Sequence, residues 1–291
     1  MSTMAETTPD DPSLLVICVD SNPSQGILRR NPDALNSIIN CVTAFGNAHL
    51  MHKPQNKLAV LSCHHNGSKF LYPSPEKSLE IRQMDGQYEF FTFVEKSIKF
   101  NLSELIKNAP KIVNNVESML AGCLAMALCY IVRVKKAQPI GTNLISRILV
   151  VTGSEDSAHQ YMTYMNVFFT AQKERVVLDI CTLDNTLVLL QQGCDITGGH
   201  YLKVPQLDGL LQYLLWIFLP EPSIRSKLAL PPAVKVDYRA ACFCHRELID
   251  IGFVCSVCLS IFCKFSPICT TCSTVFKVPV PIKPKKKKIK T

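Results

Sequence analysis

Leu14-Leu-Val-Ile-Cys-Val-Asp20 is an unbroken apolar run that stops at a carboxylate and passes into the turn Ser21-Asn-Pro-Ser24. A strand with one wetted face would alternate polar and apolar residues. A short continuous run reads instead as a central strand buried on both faces, with its loop at the carboxyl end. Downstream, 33–50 places Leu35, Ile38, Ile39, Val42 and Phe45 at helical spacing, 58–63 is a second buried strand, and 70–72 is a short edge-like piece. The periodicity of 88–109 is mixed and decides nothing. A long buried helix is expected at 114–134, a strand at 147–152, and a helix opened by a serine cap at 157–172. A strand at 175–182, a helix at 185–194 ending near Gly198-Gly199, and a short strand at 200–204 follow. The last helix, 206–218, aligns Leu207, Leu210, Leu211, Leu214, Leu215 and Phe218 on one face. Strands alternating with helices predict a doubly wound, mostly parallel α/β sheet covered on both sides, its functional rim at the strands' carboxyl ends.

With 291 residues, 47% hydrophobic and 19% charged, the chain has room for one sizeable α/β domain and a small appendage. Such a composition excludes disorder over most of the length. The net charge of +8 is local. Lys283, Lys285, Lys286, Lys287, Lys288 and Lys290 crowd the last nine residues, and without them the balance is +2. Attraction to phosphate therefore belongs to a tail, not to a basic groove. Met1 to Pro12 are polar and acidic, unlike a secretory signal. The longest apolar run, 119–132, is shorter than the roughly 20 residues of a bilayer span. A reducing compartment is expected, in which fourteen cysteines do not build a disulfide framework.

The cysteines divide. Cys18, Cys41, Cys63, Cys123, Cys129, Cys181 and Cys194 are scattered, mostly among apolar neighbours, as small core residues are. The other seven fall between Cys242 and Cys272. Pro220, Pro222, Pro231 and Pro232 end the last helix and predict a semi-extended connector. The expected organisation is a flexible N-terminus (1–12), an α/β domain (13–219), a Pro-rich linker (220–237), a cysteine-rich zinc module (238–278) and a lysine-rich disordered tail (279–291).

Within the module, Cys255-Ser-Val-Cys258 and Cys269-Thr-Thr-Cys272 stand ten residues apart. Each short turn aims two sulfurs at one point about 2.3 Å away, which suits tetrahedral zinc, and in so small a segment the metal supplies much of the folding free energy. A redox Cys-x-x-Cys needs no second copy. About one structural zinc per chain is expected on this reading. Cys242, Cys244 and Cys263, with His245, offer a second zinc in the interleaved order of RING-like modules. Only three thiols are available there and His245 sits awkwardly beside Cys244, so buried free thiols are the alternative. Phe253, Val254, Val257, Leu259, Ile261, Phe262, Phe265 and Ile268 make the module greasy enough to read as a protein-docking element.

At the rim, Asp20-x-Asn22-x-Ser24 resembles the Asp-x-Ser-x-Ser loop that opens the metal site of von Willebrand A domains, with Ser118 near the position of a further hydroxyl. Gly153 stands where that family places a second Asp, and Glu155 and Asp156 are displaced along the chain. A magnesium ion needs several oxygens converging at about 2.0–2.1 Å, so Mg2+ is not expected and Asp20 and Ser24 are read as tying down their own loop. His64-His65 is read as a solvent-facing loop pair, and Glu155-Asp156 as acidic residues at a helix N-terminus. There is no phosphate-cradling glycine loop and no nucleophile elbow, hence no expected catalysis.

Taken along the whole chain, the Asp20 loop, the proline-rich segment, Asp237-Tyr-Arg-Ala-Ala-Cys-Phe-Cys-His245, Cys255-Ser-Val-Cys-Leu-Ser-Ile-Phe-Cys263 and the lysine tail resemble the subunit 3 family of general transcription factor IIH. So do Asn56-Lys-Leu-Ala-Val60, Glu155-Asp-Ser157, Asp195-Ile-Thr-Gly-Gly199 and Gln212-Tyr-Leu-Leu-Trp216. The resemblance implies a nuclear, architectural subunit that pairs with a sister subunit carrying its own von Willebrand A domain and RING-type finger. It also implies a part in RNA polymerase II initiation and nucleotide-excision repair, the catalytic activities lying in other subunits. Cys255, Cys258, Cys269 and Cys272 carry over as zinc ligands, and Lys285 to Lys288 look like an import signal. No small-molecule substrate or membrane is implied, and nucleic-acid contact is indirect or through the tail. The alternatives are a RING-type ubiquitin ligase and a metal-dependent ligand-binding domain of the adhesion kind.

Overall fold

The computed structural model describes residues 11–74, 89–109, 117–139, 141–155, 160–232, 236–245 and 248–276. The expectations for 1–10, Asp156, the serine cap at Ser157 and the lysine tail lie outside the described residues. The chain forms two compact units that divide between Asp237 and Tyr238.

In the first unit β1 (Ser13–Asp20) is buried along its whole length. It pairs in parallel with β2 (Lys57–His64) on one side and β4 (Ile145–Thr152) on the other. The six strands run in the order β3-β2-β1-β4-β5-β6, with β5 at Val177–Thr182 and β6 at Tyr201–Lys203. Only β3 (Gly67–Tyr72), on the edge, is antiparallel. The chain winds outward from β1 and then returns to β4, so the winding reverses between the carboxyl ends of these two strands. This is the doubly wound, mostly parallel α/β sheet that the alternation of strands and helices predicts.

Because successive side chains of a strand point to opposite faces, β1 feeds two cores. Leu14, Val16 and Cys18 pack under α4 (Leu120–Lys136), α5 (Tyr161–Lys173) and α6 (Val188–Thr197). Leu15, Ile17 and Val19 pack under α2 (Ala34–His52), which follows the short α1 (Gly26–Arg30), under α3 (Glu89–Lys107) and under the last helix, which comprises a turn at Leu210–Tyr213 and a wider π turn at Leu214–Phe218. Each such aliphatic side chain contributes about 1.5–3 kcal/mol by leaving water. The end of α6 is set by Gly198, left-handed at φ 72°, and by close approach at Gly199, where a Cβ would stand 1.9 Å from the Leu178 carbonyl oxygen.

Three local features refine the expectations. Helix α4 starts at Leu120, with 117–119 before it not helical; the expected 114–116 lie outside the described residues. Its first turn is capped from a distance by Gln160, which accepts from the Ala121 amide (3.2 Å) and donates to the Ser118 carbonyl (2.6 Å). Among the scattered cysteines, Cys129 is exposed and Cys41 only half-buried. The proline-rich segment, expected as a semi-extended connector, is fastened to the rest of the first unit. Arg147, 1% exposed on β4, donates to the carbonyls of Phe218 (2.6 Å), Leu219 (3.0 Å) and Pro220 (3.0 Å). A helix end leaves such carbonyls without partners, and a buried guanidinium needs acceptors, so each satisfies the other. Lys53 pairs with Glu221 at 2.8 Å and Gln192 donates to the Asp237 carbonyl at 2.6 Å.

The second unit holds two small antiparallel ribbons, β7 (Ala240–Ala241) with β8 (Leu248–Ile249) and β9 (Phe253–Val254) with β10 (Ile261–Phe262). Among the described residues its hydrophobic cluster has Cys255, Phe262 and Cys269 buried. Among the described residues no helix is long and apolar enough to cross a membrane.

Candidate metal centres and strand-end site

At the end of β1, Asp20 is 2% exposed. Its Oδ2 accepts from the hydroxyls of Thr152 (2.7 Å) and Ser154 (2.6 Å), and its Oδ1 from the Asn22 amide (3.0 Å). Burial raises the Asp20 pKa, and these bonds act the other way, favouring the carboxylate. Asn22 accepts from the Ser24 amide at 3.2 Å, so the loop is closed by its own side chains. Ser118 lies beside Cys63 at 3.2 Å and is among the groups that hydrogen-bond Asp20.

Gln25, which the sequence reading passed over, explains Gly153. Its amide donates to the Asp20 carbonyl (2.9 Å) and accepts from the Gly153 amide (3.1 Å), and a Cβ at position 153 would stand 2.7 Å from its Oε1. The place of a second carboxylate is filled by an amide. The strand-end donor set is therefore one carboxylate already accepting several bonds, and it does not fit a magnesium ion that requires several free oxygens. The only sequence signal was the missing Asp itself.

The His64-His65 pair departs from the solvent-facing expectation. His64 is 4% exposed, the rings lie 4.0 Å apart, and burial pushes His64 down to about 4. It closes β2, where its register partner is Gly67 of the edge strand β3.

The second unit gathers two sets of ligand atoms, each with every member within 4.8 Å of the others: Cys255, Cys258, Cys269 and Cys272, and Cys242, Cys244, His245 and Cys263. Among the described residues these are the groups of three or more His, Cys, Asp or Glu with that geometry. In the first set the Cys255–Cys272 sulfurs are 3.7 Å apart and the Cys258–Cys269 sulfurs 3.6 Å. A ZnS4 tetrahedron with bonds of about 2.3 Å has edges of about 3.8 Å, so the spacing fits a metal of that kind. The local turns prepare the thiolates. Ser260 hydrogen-bonds Cys258 and holds it down to about 6, and Thr274 lowers Cys272 in the same way. In the second set the Cys244 and Cys263 sulfurs are 3.3 Å apart and His245 Nδ1 is 3.1 Å from Cys263. The hydrogen bond with Cys244, then desolvation and the charge of that neighbouring thiolate, push Cys263 up to about 11. The residues of both clusters can hold a metal ion.

Comparison with known proteins agrees with this architecture along the whole chain. Residues 12–273 match the family described as Transcription factor Tfb4. The chain is 36% identical to the Schizosaccharomyces pombe general transcription and DNA repair factor IIH subunit tfb4, over 99% of this chain and 95% of that one. It is also 36% identical to general transcription factor IIH subunit 3 of Dictyostelium discoideum, over 88% of this chain and 72% of the relative. Among solved structures, the TFIIH p34 N-terminal domain superposes with a TM-score of 0.61 at 30% identity, covering 72% of this chain and 99% of that one. This chain belongs to the transcription factor Tfb4 family.

Proposed function

We propose that this chain is a non-catalytic structural subunit of a factor IIH core complex, acting in the nucleus in RNA polymerase II initiation and nucleotide-excision repair. The observation that carries the reading is the likeness to factor IIH subunits over 99% of the chain. The α/β unit supports it, because its strand-end carboxylate is committed to its own loop and its sheet presents no set of reacting groups among the described residues. The cysteine unit supports it too. With three residues in its buried cluster it relies on structural zinc at Cys255, Cys258, Cys269 and Cys272, and it leaves Ile251, Val257, Leu259 and Val275 largely exposed. Its partners are the other core subunits, chiefly the sister subunit with a von Willebrand A domain and a RING-type finger. Lys285 to Lys288 serve as an import signal. Purification of the tagged chain from nuclear extract, read by mass spectrometry, tests the reading. Stoichiometric recovery of factor IIH subunits is expected, and a solitary chain overturns it.

One observation favours a second reading. The two ligand sets alternate along the chain, the order used by RING-type ligases to build a platform for conjugating enzymes. Discharge of a charged conjugating enzyme by the full chain would support it; an inert chain removes it.

A further inference from the structure

We propose that the last turns of α4 and α5 form a binding face for a single nucleic-acid strand, with Arg133, Lys136, Lys173 and Arg175 on its phosphates and Phe169 under a base.

The sequence places attraction to phosphate in the lysine tail. Folding assembles a second concentration of charge. Each crossover helix returns against the strands, so α4 and α5 both end beside the amino ends of β4 and β5. The last turn of α4 carries Arg133, Lys135 and Lys136, and that of α5 carries Lys173, with Arg175 two residues on. Lys135 ties the two ends together by donating to the Glu174 carbonyl at 2.7 Å. Burial lowers its pKa; Glu174 opposes this, and the Arg175 charge adds to it, which places Arg175 within electrostatic range. Five cations on these two helix ends thus stand with one carboxylate, Glu174. With this group and the six tail lysines set aside, the rest of the chain has a net charge of −2, so the positive charge is concentrated in these two places. The end of the neighbouring α6 carries no cation, which bounds the face.

Cations in a last turn also complement the helix dipole, and Lys135 does that by bonding a terminal carbonyl. The other four are exposed, and none of them pairs with an acidic group of the described residues. Arg133 lies 5.2 Å over the Tyr130 ring, a contact that leaves its N–H donors free for phosphate oxygens. Phe169 is 57% exposed and belongs to neither core. It stands one turn before Lys173 on the same face of α5. An exposed ring beside unpaired cations suits a base stacked next to its own phosphates. An acidic peptide would engage the cations and leave the ring unused.

The test is fluorescence anisotropy of a labelled oligothymidylate of about 20 nucleotides, long enough for such a site. It is titrated at several salt concentrations with the full chain, its six tail lysines replaced by glutamine. Binding should persist without the tail charge. Arg133→Gln, Lys136→Gln and Lys173→Gln together should weaken it about tenfold or more and lower the slope of log K against log salt by about 2, at roughly 0.7 per phosphate. Lys136→Arg with Lys173→Arg should bind like the parent, since the charge is kept. Phe169→Ala should weaken binding about tenfold with the slope unchanged. No binding without the tail charge, or an undiminished slope in the triple variant, overturns the face. Polyglutamate competing as well as unlabelled oligothymidylate, with Phe169→Ala silent, also overturns it and gives the patch to an acidic protein segment. Should the triple variant fold poorly, the single variants decide, each expected to lower the slope by about 0.7.

Discussion

Asp179 on β5 and Arg225, in the short helix Pro222–Arg225 beyond the last long one, meet in a forked ion pair sealed from water. Their contacts are 2.7 Å (Nη1 to Oδ1) and 2.5 Å (Nη2 to Oδ2), and the Asp179 and Arg225 side chains are 2% and 5% exposed. Asp179 also accepts from the His200 amide at 2.9 Å, so one carboxylate fastens the proline-rich segment, β5 and the approach to β6.

Breaking that pair from one side should be costly, because it strands a buried charge. Asp179→Asn or Arg225→Met is expected to destabilise the first unit by about 3–5 kcal/mol, and the double variant by less than the sum of the two. In thermal melts this corresponds to a drop on the order of 10 °C for each single variant. Single variants that melt with the unaltered chain would show that the segment is not held this way.

Restoring an aspartate at position 153 should not create a magnesium site. The new Cβ would press on Gln25 Oε1 and come within 3.0 Å of Ile27 Cγ2, and the Gln25 amide is bonded at both ends. Gly153→Asp is expected to cost about 1–3 kcal/mol through overpacking. Melts with and without magnesium should coincide; a rise of several degrees in magnesium would contradict the geometry.

His49, 2% exposed on α2, makes stability fall in acid. Burial, and then the neighbouring Arg147 and His52 charges, push its pKa down to about 3, with the carbonyls of Ser13 and Lys57 opposing. The unfolded histidine titrates near 6.5. Between those values the unfolded chain takes up a proton that the native chain refuses, so stability is lost as pH falls from about 6.5 toward 3. This one group can contribute a slope of up to about 1.4 kcal/mol per pH unit. Urea titrations at pH 6.5, 5.5 and 4.5 should show a shallower loss for His49→Gln than for the unaltered chain. Equal slopes would place the acid sensitivity elsewhere.

Metal loss should be confined to the second unit. Cys255→Ser or Cys269→Ser is expected to release zinc and open the chain beyond Tyr238 to proteases, because that unit has so small a buried cluster. The first unit has two cores of its own and should keep its main melting transition within about 2 °C. Collapse of that transition in either variant would show that the units do not fold separately.

The residues that betrayed the fold were those whose partners are local or generic. The run at 14–20 announces a two-sided strand because any neighbours that bury it will do, and α2 shows its stripe for the same reason. Helix α3 was illegible because its buried face carries Ser97 and Asn101 beside Val94, Ile98 and Leu102. Both polar side chains reach the Leu71 carbonyl, at 3.2 and 2.8 Å, on the edge strand β3, and that service breaks the apolar rhythm. The Cys255-to-Cys272 knuckles were readable because a Cys-x-x-Cys turn carries its geometry within four residues. Cys263 and His245 could be offered only beside the alternative of free thiols, since nothing in their spacing says which nitrogen of the ring would turn inward.

What order of residues alone could establish was therefore the winding of the sheet, the four-sulfur knuckle and the likeness that names the family. These depend on short-range periodicity or on turns that close on themselves. Folding in three dimensions was needed to decide that Gln25 occupies the vacancy beside Gly153, that Arg147 and Arg225 bind the proline-rich segment down, and that Cys263 meets His245. Each of those is a meeting of polar groups distant along the chain, and such a meeting leaves no period in the sequence to read.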